Sequence, residues 1–139
     1  MSRIIADLHV HSGFSRATSK DMNVATMALW AKKKGINLLG TGDFTHPIHF
    51  ANLKAALKSA GNGLYTTSIE PVFFMLTAEI SSIYSFKGKV RRIHNIIMSP
   101  SIEIAEKINS ALKKRGNLSS DGRPILGTPA KDLLKIVLD

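Results

Sequence analysis

The sequence predicts an α/β fold with a largely parallel sheet. Short runs of β-branched and aromatic residues alternate with longer segments in which apolar residues recur every three or four positions. These segments follow one another in the order β-α-β-α-β-β-α-α, which is typical of strands joined by helical crossovers. The chain has 139 residues, 44% of them hydrophobic, so it fits one domain, or a piece of one, with a sizeable core.

Capping residues and glycines set the bounds of the predicted elements. Asp21 or Asn23 fits the N-cap of the first helix, and Gly35 ends that helix after three lysines. Gly61-Asn62-Gly63 breaks the second helix, and Lys87-Gly88 forms a turn. The predicted elements are strand 4–12, helix 21–35, strand 36–41, helix 48–58, strand 72–80, a connection over 81–88, strand 89–98, a helix from Ser99 or Ser101 to Gly116, a polar loop over 117–127 and a last helix after Pro129.

The first predicted strand has an acid and two histidines at every second position. Asp7, His9 and His11 would therefore project from one face of that strand. Two imidazoles beside a carboxylate suit a divalent transition metal such as zinc, manganese or iron. On this stretch alone, a metal site and a strand whose histidines merely lie at a polar rim are equally good interpretations.

Further polar side chains end or follow the later predicted strands. Asp43 and His46 come after the second strand, where α/β proteins place ligand groups, although Asp43 also fits a turn or helix cap. Glu79 ends an apolar strand, where a carboxylate is costly unless it meets a cation or lies at the rim. His94 lies in a strand that starts basic, and alone it would fit a core histidine. Together these residues favour the metal site.

Composition limits the partners and the kind of metal site. The net charge of +9 and the pI near 10.1 predict an anionic partner, with DNA or another nucleic acid first. The chain has no cysteine, so a disulfide framework and a thiolate zinc site are excluded and any metal must use His, Asp and Glu. No apolar run is long enough to cross a bilayer and no secretory signal is evident, so a cytoplasmic protein without membrane contact is expected.

Four motifs thus stand at or near the ends of predicted strands: residues 7–12, residues 41–43, Glu79 and His94. They resemble the metal-binding motifs of the polymerase and histidinol phosphatase (PHP) superfamily. The resemblance implies part of a distorted barrel of seven β/α units. It also implies two or three divalent metal ions, zinc or manganese, and hydrolysis of phosphoesters.

The same resemblance implies roles for the residues that match the superfamily's motifs. His9 and His11 would be metal ligands from the first motif. Glu79 would bridge two metals, and His94 would bind the second metal. These four residues would also form the catalytic group.

Other positions depart from the superfamily's pattern. The usual Asp-His pair appears as Asp43-Phe44, so Asp43 is a ligand candidate whose partner histidine is missing. His46, two residues after Phe44, is the candidate replacement. Asp7 would orient a ligating histidine from behind or act as an outer ligand.

Longer stretches resemble the endonuclease Q family of DNA repair enzymes, which belongs to the PHP superfamily. These stretches are residues 14–20, 40–47, 88–94 and 116–124. The resemblance implies cleavage of DNA on the 5′ side of deaminated bases such as uracil and hypoxanthine. The basic residues that would contact DNA phosphates are Arg16, Lys20, Lys89, Arg91 and Arg92.

The resemblance further implies that residues 1–139 are the N-terminal portion of a PHP domain. The superfamily's later ligands have no counterpart, because the only histidine left over, His49, lies too early. We therefore expect an incomplete site, with weak or no nuclease activity of this chain alone. An open sheet edge would favour self-association or pairing with a C-terminal partner segment. Two other functions stay open: a PHP phosphatase acting on a small phosphomonoester, and a non-catalytic remnant that binds metal or DNA.

Overall fold

The computed structural model describes residues 3–16 and 18–138. Ala17, which belongs to the 14–20 stretch of the resemblance, lies outside the described residues. The described elements are β1 (Ala6–Asp7), α1 (Val24–Lys33), β2 (Leu38–Gly40), α2 (Pro47–Ala56), β3 (Lys58–Gly61), β4 (Leu64–Thr66), β5 (Phe73–Phe86), β6 (Lys89–Ser99), α3 (Ile102–Lys113), β7 (Ile125–Leu126) and α4 (Ala130–Leu138). None of these helices is both long and apolar enough to span a membrane.

The strands form an open mixed sheet around the long strand β5. Strand β2 pairs in parallel with β1 and with β5, and β7 also pairs in parallel with β5. The β3–β4 hairpin and strand β6 add antiparallel pairings. The predicted α/β class is confirmed. The prediction of a largely parallel sheet is wrong, because the β3–β4 hairpin and the β5–β6 hairpin add antiparallel pairings to it.

Strand β5 is longer than the sequence suggests. The predicted connection over 81–88 is wrong, since β5 continues to Phe86 and only Lys87-Gly88 forms the turn into β6. Both turn residues have left-handed φ values, 49° for Lys87 and 71° for Gly88, as a two-residue type I′ hairpin requires. Ser81 and Ser82 look like loop residues in the sequence, but both are buried and paired with β6 and β7.

Three short strands lie where no strand was predicted. Gly61-Asn62-Gly63 turns the β3–β4 hairpin, with φ values of 85°, 53° and 75°. Helix α2 already ends at Ala56, so residues 58–61 form β3 and not a last helical turn. Strand β7 lies in the predicted polar loop, where two residues pair with Ser81 and Ser82 of β5.

Alternation along β5 decides which side chains enter the core. Phe74, Leu76, Ala78 and Ile80 are all at most 2% exposed, and the buried faces of the helices complete the same cluster. Glu79 therefore projects from the opposite face of β5. The segments that leave β1 and β2 meet that face, and this places their polar side chains beside Glu79.

Gly42 lets the segment after β2 pass close to the segment after β1. Its φ is 60°, and a Cβ atom at this position would overlap the carbonyl oxygen of Val10. Only glycine satisfies both conditions without strain. The close approach brings Asp43 next to His11.

We expect Gly42→Ala to destabilise the chain more than Gly35→Ala does. Gly35 has a similar φ of 71°, but nothing lies within 4 Å of a Cβ atom added there. Gly35→Ala therefore measures only the cost of the left-handed backbone conformation for alanine. That cost is about 1 kcal/mol, and the overlap at Gly42 should raise the loss to about 3 kcal/mol or more. Urea unfolding of both variants measures the difference. Equal losses would contradict the close approach of the two segments.

Candidate metal centre

The first two candidate ligands do not lie in a strand. Strand β1 ends at Asp7, so His9 and His11 belong to the irregular segment that follows it, and the predicted strand over residues 4–12 is wrong. The two imidazoles still converge, because both reach across to Glu79 on β5. Convergence therefore comes from the Glu79 carboxylate on β5 and not from strand alternation.

The Glu79 carboxylate is the centre of the site. Its Oε2 atom lies 2.9 Å from Nε2 of His9 and 2.9 Å from Nε2 of His11, and its Oε1 atom lies 2.6 Å from Nδ1 of His94. The residue is only 3% exposed, and this burial alone would raise its pKa. The hydrogen bond from His9 and the charges of His11, His94 and Arg123 outweigh burial and lower the pKa of Glu79.

Asp43 is fully buried behind His11. Its Oδ1 atom lies 2.9 Å from Nδ1 of His11, while its Oδ2 atom accepts hydrogen bonds from the backbone and hydroxyl of Ser12 and from the hydroxyl of Ser15, at 2.6, 2.7 and 3.0 Å. Burial opposes ionisation of Asp43, but these hydrogen bonds outweigh it and lower its pKa. The hydrogen bond to Asp43 raises the pKa of His11 despite burial. This contact orients the ring so that Nε2 faces Glu79.

His9, His11 and Glu79 form a group that could hold a metal ion. One ligand atom from each residue lies within 4.8 Å of the others. Two imidazole nitrogens and a carboxylate oxygen suit a divalent transition metal. A carboxylate behind a histidine, as Asp43 lies behind His11, is the usual arrangement around a ligating imidazole. The donor set therefore fits zinc or manganese.

The structure gives Asp43, Asp7 and His46 different places from those the sequence suggested. Both oxygens of Asp43 are engaged by protein donors, which places it behind His11 and outside the group of three. Asp7 is exposed, and its carboxylate accepts from the backbone N–H of His9, so the contact behind a ligand ring belongs to Asp43. The ring of His46 caps α2 and stacks on Phe14, with centroids 4.4 Å apart, away from Glu79.

The basic candidates divide between the loop after β1 and strand β6. Arg16 is 81% exposed and its Nε atom lies 3.3 Å from a carboxylate oxygen of Asp121. Lys20 donates to the carbonyl of Gly13, at 3.0 Å. Lys89, Arg91 and Arg92 are exposed residues of β6.

Sequence reasoning missed Arg123, whose Nη1 atom lies 3.8 Å from Oε1 of Glu79. It lies on the loop before β7, next to Gly122, where a Cβ atom would overlap the Asp43 carboxylate. The loop therefore packs directly onto the site. A cavity of about 240 Å³ opens there, lined by His11, Ser15, Arg16, Thr18, Ser120, Asp121, Arg123 and Ile125. The only signal in the sequence was that residues 116–124 share the resemblance to endonuclease Q.

Comparison with known proteins finds relatives over nearly the whole chain. A scan against protein-family models gives no match. An uncharacterized protein of Methanocaldococcus jannaschii is 36% identical over 134 residues, which are 96% of this chain and 14% of that protein. The crystal structure of the lesion-specific endonuclease PfuEndoQ from Pyrococcus furiosus matches with a TM-score of 0.84 and 31% identity. That match covers 97% of this chain and 32% of the PfuEndoQ chain.

This chain resembles part of endonuclease Q. A second solved structure, of endonuclease Q with a 27-mer duplex substrate that has an abasic lesion at the active site, matches with a TM-score of 0.82 and 31% identity. The match covers 96% of this chain and 32% of that endonuclease Q chain. The resemblance to endonuclease Q predicted from the sequence is thereby confirmed. The chain spans about a third of the length of these solved endonuclease Q chains, and 14% of the curated relative.

The Asp43–His11 contact predicts how stability depends on pH when no metal is bound. Because the pKa of Asp43 is lowered, its ionised carboxylate stabilises the folded chain. This stabilisation is fully present above the ordinary pKa of 3.8 and is lost as the pH falls through the pKa of the folded state. Because the pKa of His11 is raised, its protonated ring also stabilises the folded chain. This stabilisation is fully present below the ordinary pKa of 6.5 and is lost as the pH rises through the pKa of the folded state. The contact is therefore strongest between these two values.

We expect Asp43→Asn to lower the free energy of unfolding by about 1–3 kcal/mol near pH 5. The difference from the native chain should shrink towards lower pH and towards alkaline pH. Urea unfolding in the presence of a chelator, across this range, measures the difference. Asp21→Asn, at an exposed loop position, is the control and should have little effect at any pH. A loss that does not vary with pH would contradict the assigned contact.

Proposed function

We propose that this chain provides part of a metal-dependent phosphodiesterase site that cleaves DNA on the 5′ side of deaminated bases such as uracil and hypoxanthine. One observation carries the proposal: two imidazoles converge on a buried carboxylate in a fold that matches a lesion-specific endonuclease over 97% of this chain. The matched endonuclease chains are about three times as long as this chain, so the activity of the whole protein is a proposal for this chain.

Glu79 would bridge two metal ions. Its two oxygens point to different partners, since Oε2 faces His9 and His11 whereas Oε1 faces His94. This division supports one ion held by His9, His11 and Glu79 and a second held by Glu79 and His94. A bridging carboxylate also explains why a single acid lies among three imidazoles, because its charge would be shared between two cations.

The chain's own residues would position the phosphate and the ligands. Divalent cations in such a site supply Lewis-acid activation of the phosphate and of water. Asp43 holds the His11 ring with Nδ1 towards the carboxylate and Nε2 towards Glu79. Arg123, beside Glu79 and the 240 Å³ cavity, is placed to donate to a phosphate oxygen. Arg16 lines the same cavity and would add a second cation.

The main alternative is a phosphatase acting on a small phosphomonoester. The cavity beside His11 favours it, because about 240 Å³ lined by Arg16 and Arg123 suits a small phosphate ester. The charge of the chain favours DNA, since a net charge of +9 exceeds what a small anion needs. A non-catalytic remnant that binds metal or DNA is the second alternative.

Metal titration tests the proposed ligands. We expect His9→Ala and Glu79→Gln each to weaken binding of Zn²⁺ or Mn²⁺ by at least about tenfold, because each removes a donor from the group of three. His46→Asn is the matched control. Asparagine keeps an N-cap acceptor for α2, so the fold and the metal affinity should both be preserved. If His46→Asn weakened binding as much as His9→Ala, the ligand set proposed here would be wrong.

The position of a nick tests the reaction. With the protein in excess over a duplex that contains one uracil, we expect slow, metal-dependent cleavage directly 5′ of the uracil, and Glu79→Gln should abolish it. The same duplex without uracil is the control, and a phosphomonoester panel is assayed in parallel. Phosphate release without nicking would assign the chain to the phosphatase alternative. Metal binding without either reaction would support the remnant.

A further inference from the structure

Strands β5 and β6 extend beyond their neighbours as a two-stranded arm, residues 83–93. Strand β7 reaches β5 only at Ser81 and Ser82, whereas pairing between β5 and β6 continues to Phe86 and Lys89. Every residue from 85 to 94 is exposed. Both faces of the arm are therefore open to solvent at its tip.

The arm is strongly basic. Between Glu79 and Glu103 the sequence contains no acidic residue, and four cations fall within six positions of the arm. Such a density of positive charge suits a polyanion, and it opposes the approach of another copy of the same arm. The four cations are Lys87, Lys89, Arg91 and Arg92.

The register of the hairpin divides these cations between two faces. Ile83 pairs with Arg92 and Ser81 pairs with His94, so Arg92 shares the face of β5 that carries Glu79. Arg92 is thus the arm cation on the side of the candidate metal centre.

The opposite face has a different chemistry. Tyr84 pairs with Arg91, and Phe86 pairs with Lys89, so an aromatic ring lies beside a cation twice in succession. Phe86 is 52% exposed at the tip. Two steps along a strand span about 6.6 Å, a distance that places the two rings within reach of neighbouring bases. Aromatic rings that alternate with cations are the usual platform for an unpaired nucleic-acid strand.

We propose that this aromatic face, Tyr84, Phe86, Lys89 and Arg91, binds an unpaired stretch of a DNA strand. Bases stack on the two rings and phosphates lie at the two cations. The choice of DNA rests on the proposed function. Phe86 is seven residues from Glu79, about 23 Å along the strand. The contact is therefore separate from the metal centre and holds DNA at a distance from it.

Fluorescence anisotropy with one labelled oligonucleotide, single-stranded or annealed to its complement, tests the proposal. We expect Tyr84→Ala combined with Phe86→Ala to weaken single-strand binding at least about tenfold, because each base stack contributes about 5- to 150-fold. Duplex binding should change less than about twofold, since paired bases cannot stack on the rings.

The charged half of the face gives a different signature. Lys89→Gln combined with Arg91→Gln should weaken both forms of DNA and should lower the single-strand salt slope by about 1.4, at roughly 0.7 for each phosphate contact. Lys107→Gln combined with Lys131→Gln removes the same charge from exposed positions of α3 and α4 and is the matched control. Fluorescence of Trp30, the single tryptophan of the chain, reports whether each variant is folded.

Three results would overturn the proposal. The aromatic variant could bind single strands as the native chain does, or it could lose both forms of DNA equally. A dimer that dissociates in the aromatic variant without DNA would make the face a self-association surface instead. The proposed function fails separately: an aromatic variant that binds single strands as the native chain does, while the native chain nicks at uracil, contradicts only the arm, whereas a native chain that binds no DNA contradicts both.

Discussion

The buried carboxylate of Glu79 is the constraint on which the site depends. It is 3% exposed on the central strand β5, where burying an unpaired charge would cost roughly several kcal/mol of folding free energy. Its partners come from the segment after β1, from β6 and from the loop before β7. Each of these elements is therefore held in place by the same charge. Binding of a cation by the group would reinforce this arrangement, because the free energy of metal binding adds to the stability of the folded state.

Much of the fold and site could be predicted from local sequence. Asn23 and Ser101 cap α1 and α3, because a helix cap depends on residues that are close in the chain. The side chains of His9, His11, Glu79 and His94 meet, because motifs at strand ends come together where the strands end. The missed elements depend on distant pairing. Residues 81–86 include three serines, which obscure the strand in the sequence, and pairing with β6 makes them part of β5.

Asp7 and Asp43 show why the contacts of an acid cannot be read from local spacing. Asp7 has the i, i+2 spacing to His9 that a strand would use, but the strand ends at Asp7 and the alternation no longer applies. Asp43 has no periodic relation to His11, which lies 32 residues away, yet the backbone of Gly42 brings the two together. Arg123 was missed for the same reason. Its position depends on a loop that packs against Asp43, and no local pattern encodes that packing.

The turn at Lys87-Gly88 links the metal centre to the arm although it lies far from both His9 and His11. It sets the register of β5 against β6, and the side-chain period of a strand is two residues. A slip of one residue in β6 would turn His94 away from Glu79 and would exchange Arg92 for Arg91 beside the centre. It would also separate the aromatic rings of Tyr84 and Phe86 from their cations. The positive φ of both turn residues favours the two-residue turn that prevents this slip. One short turn therefore determines both which imidazole reaches the buried carboxylate and which face of the arm has the aromatic rings.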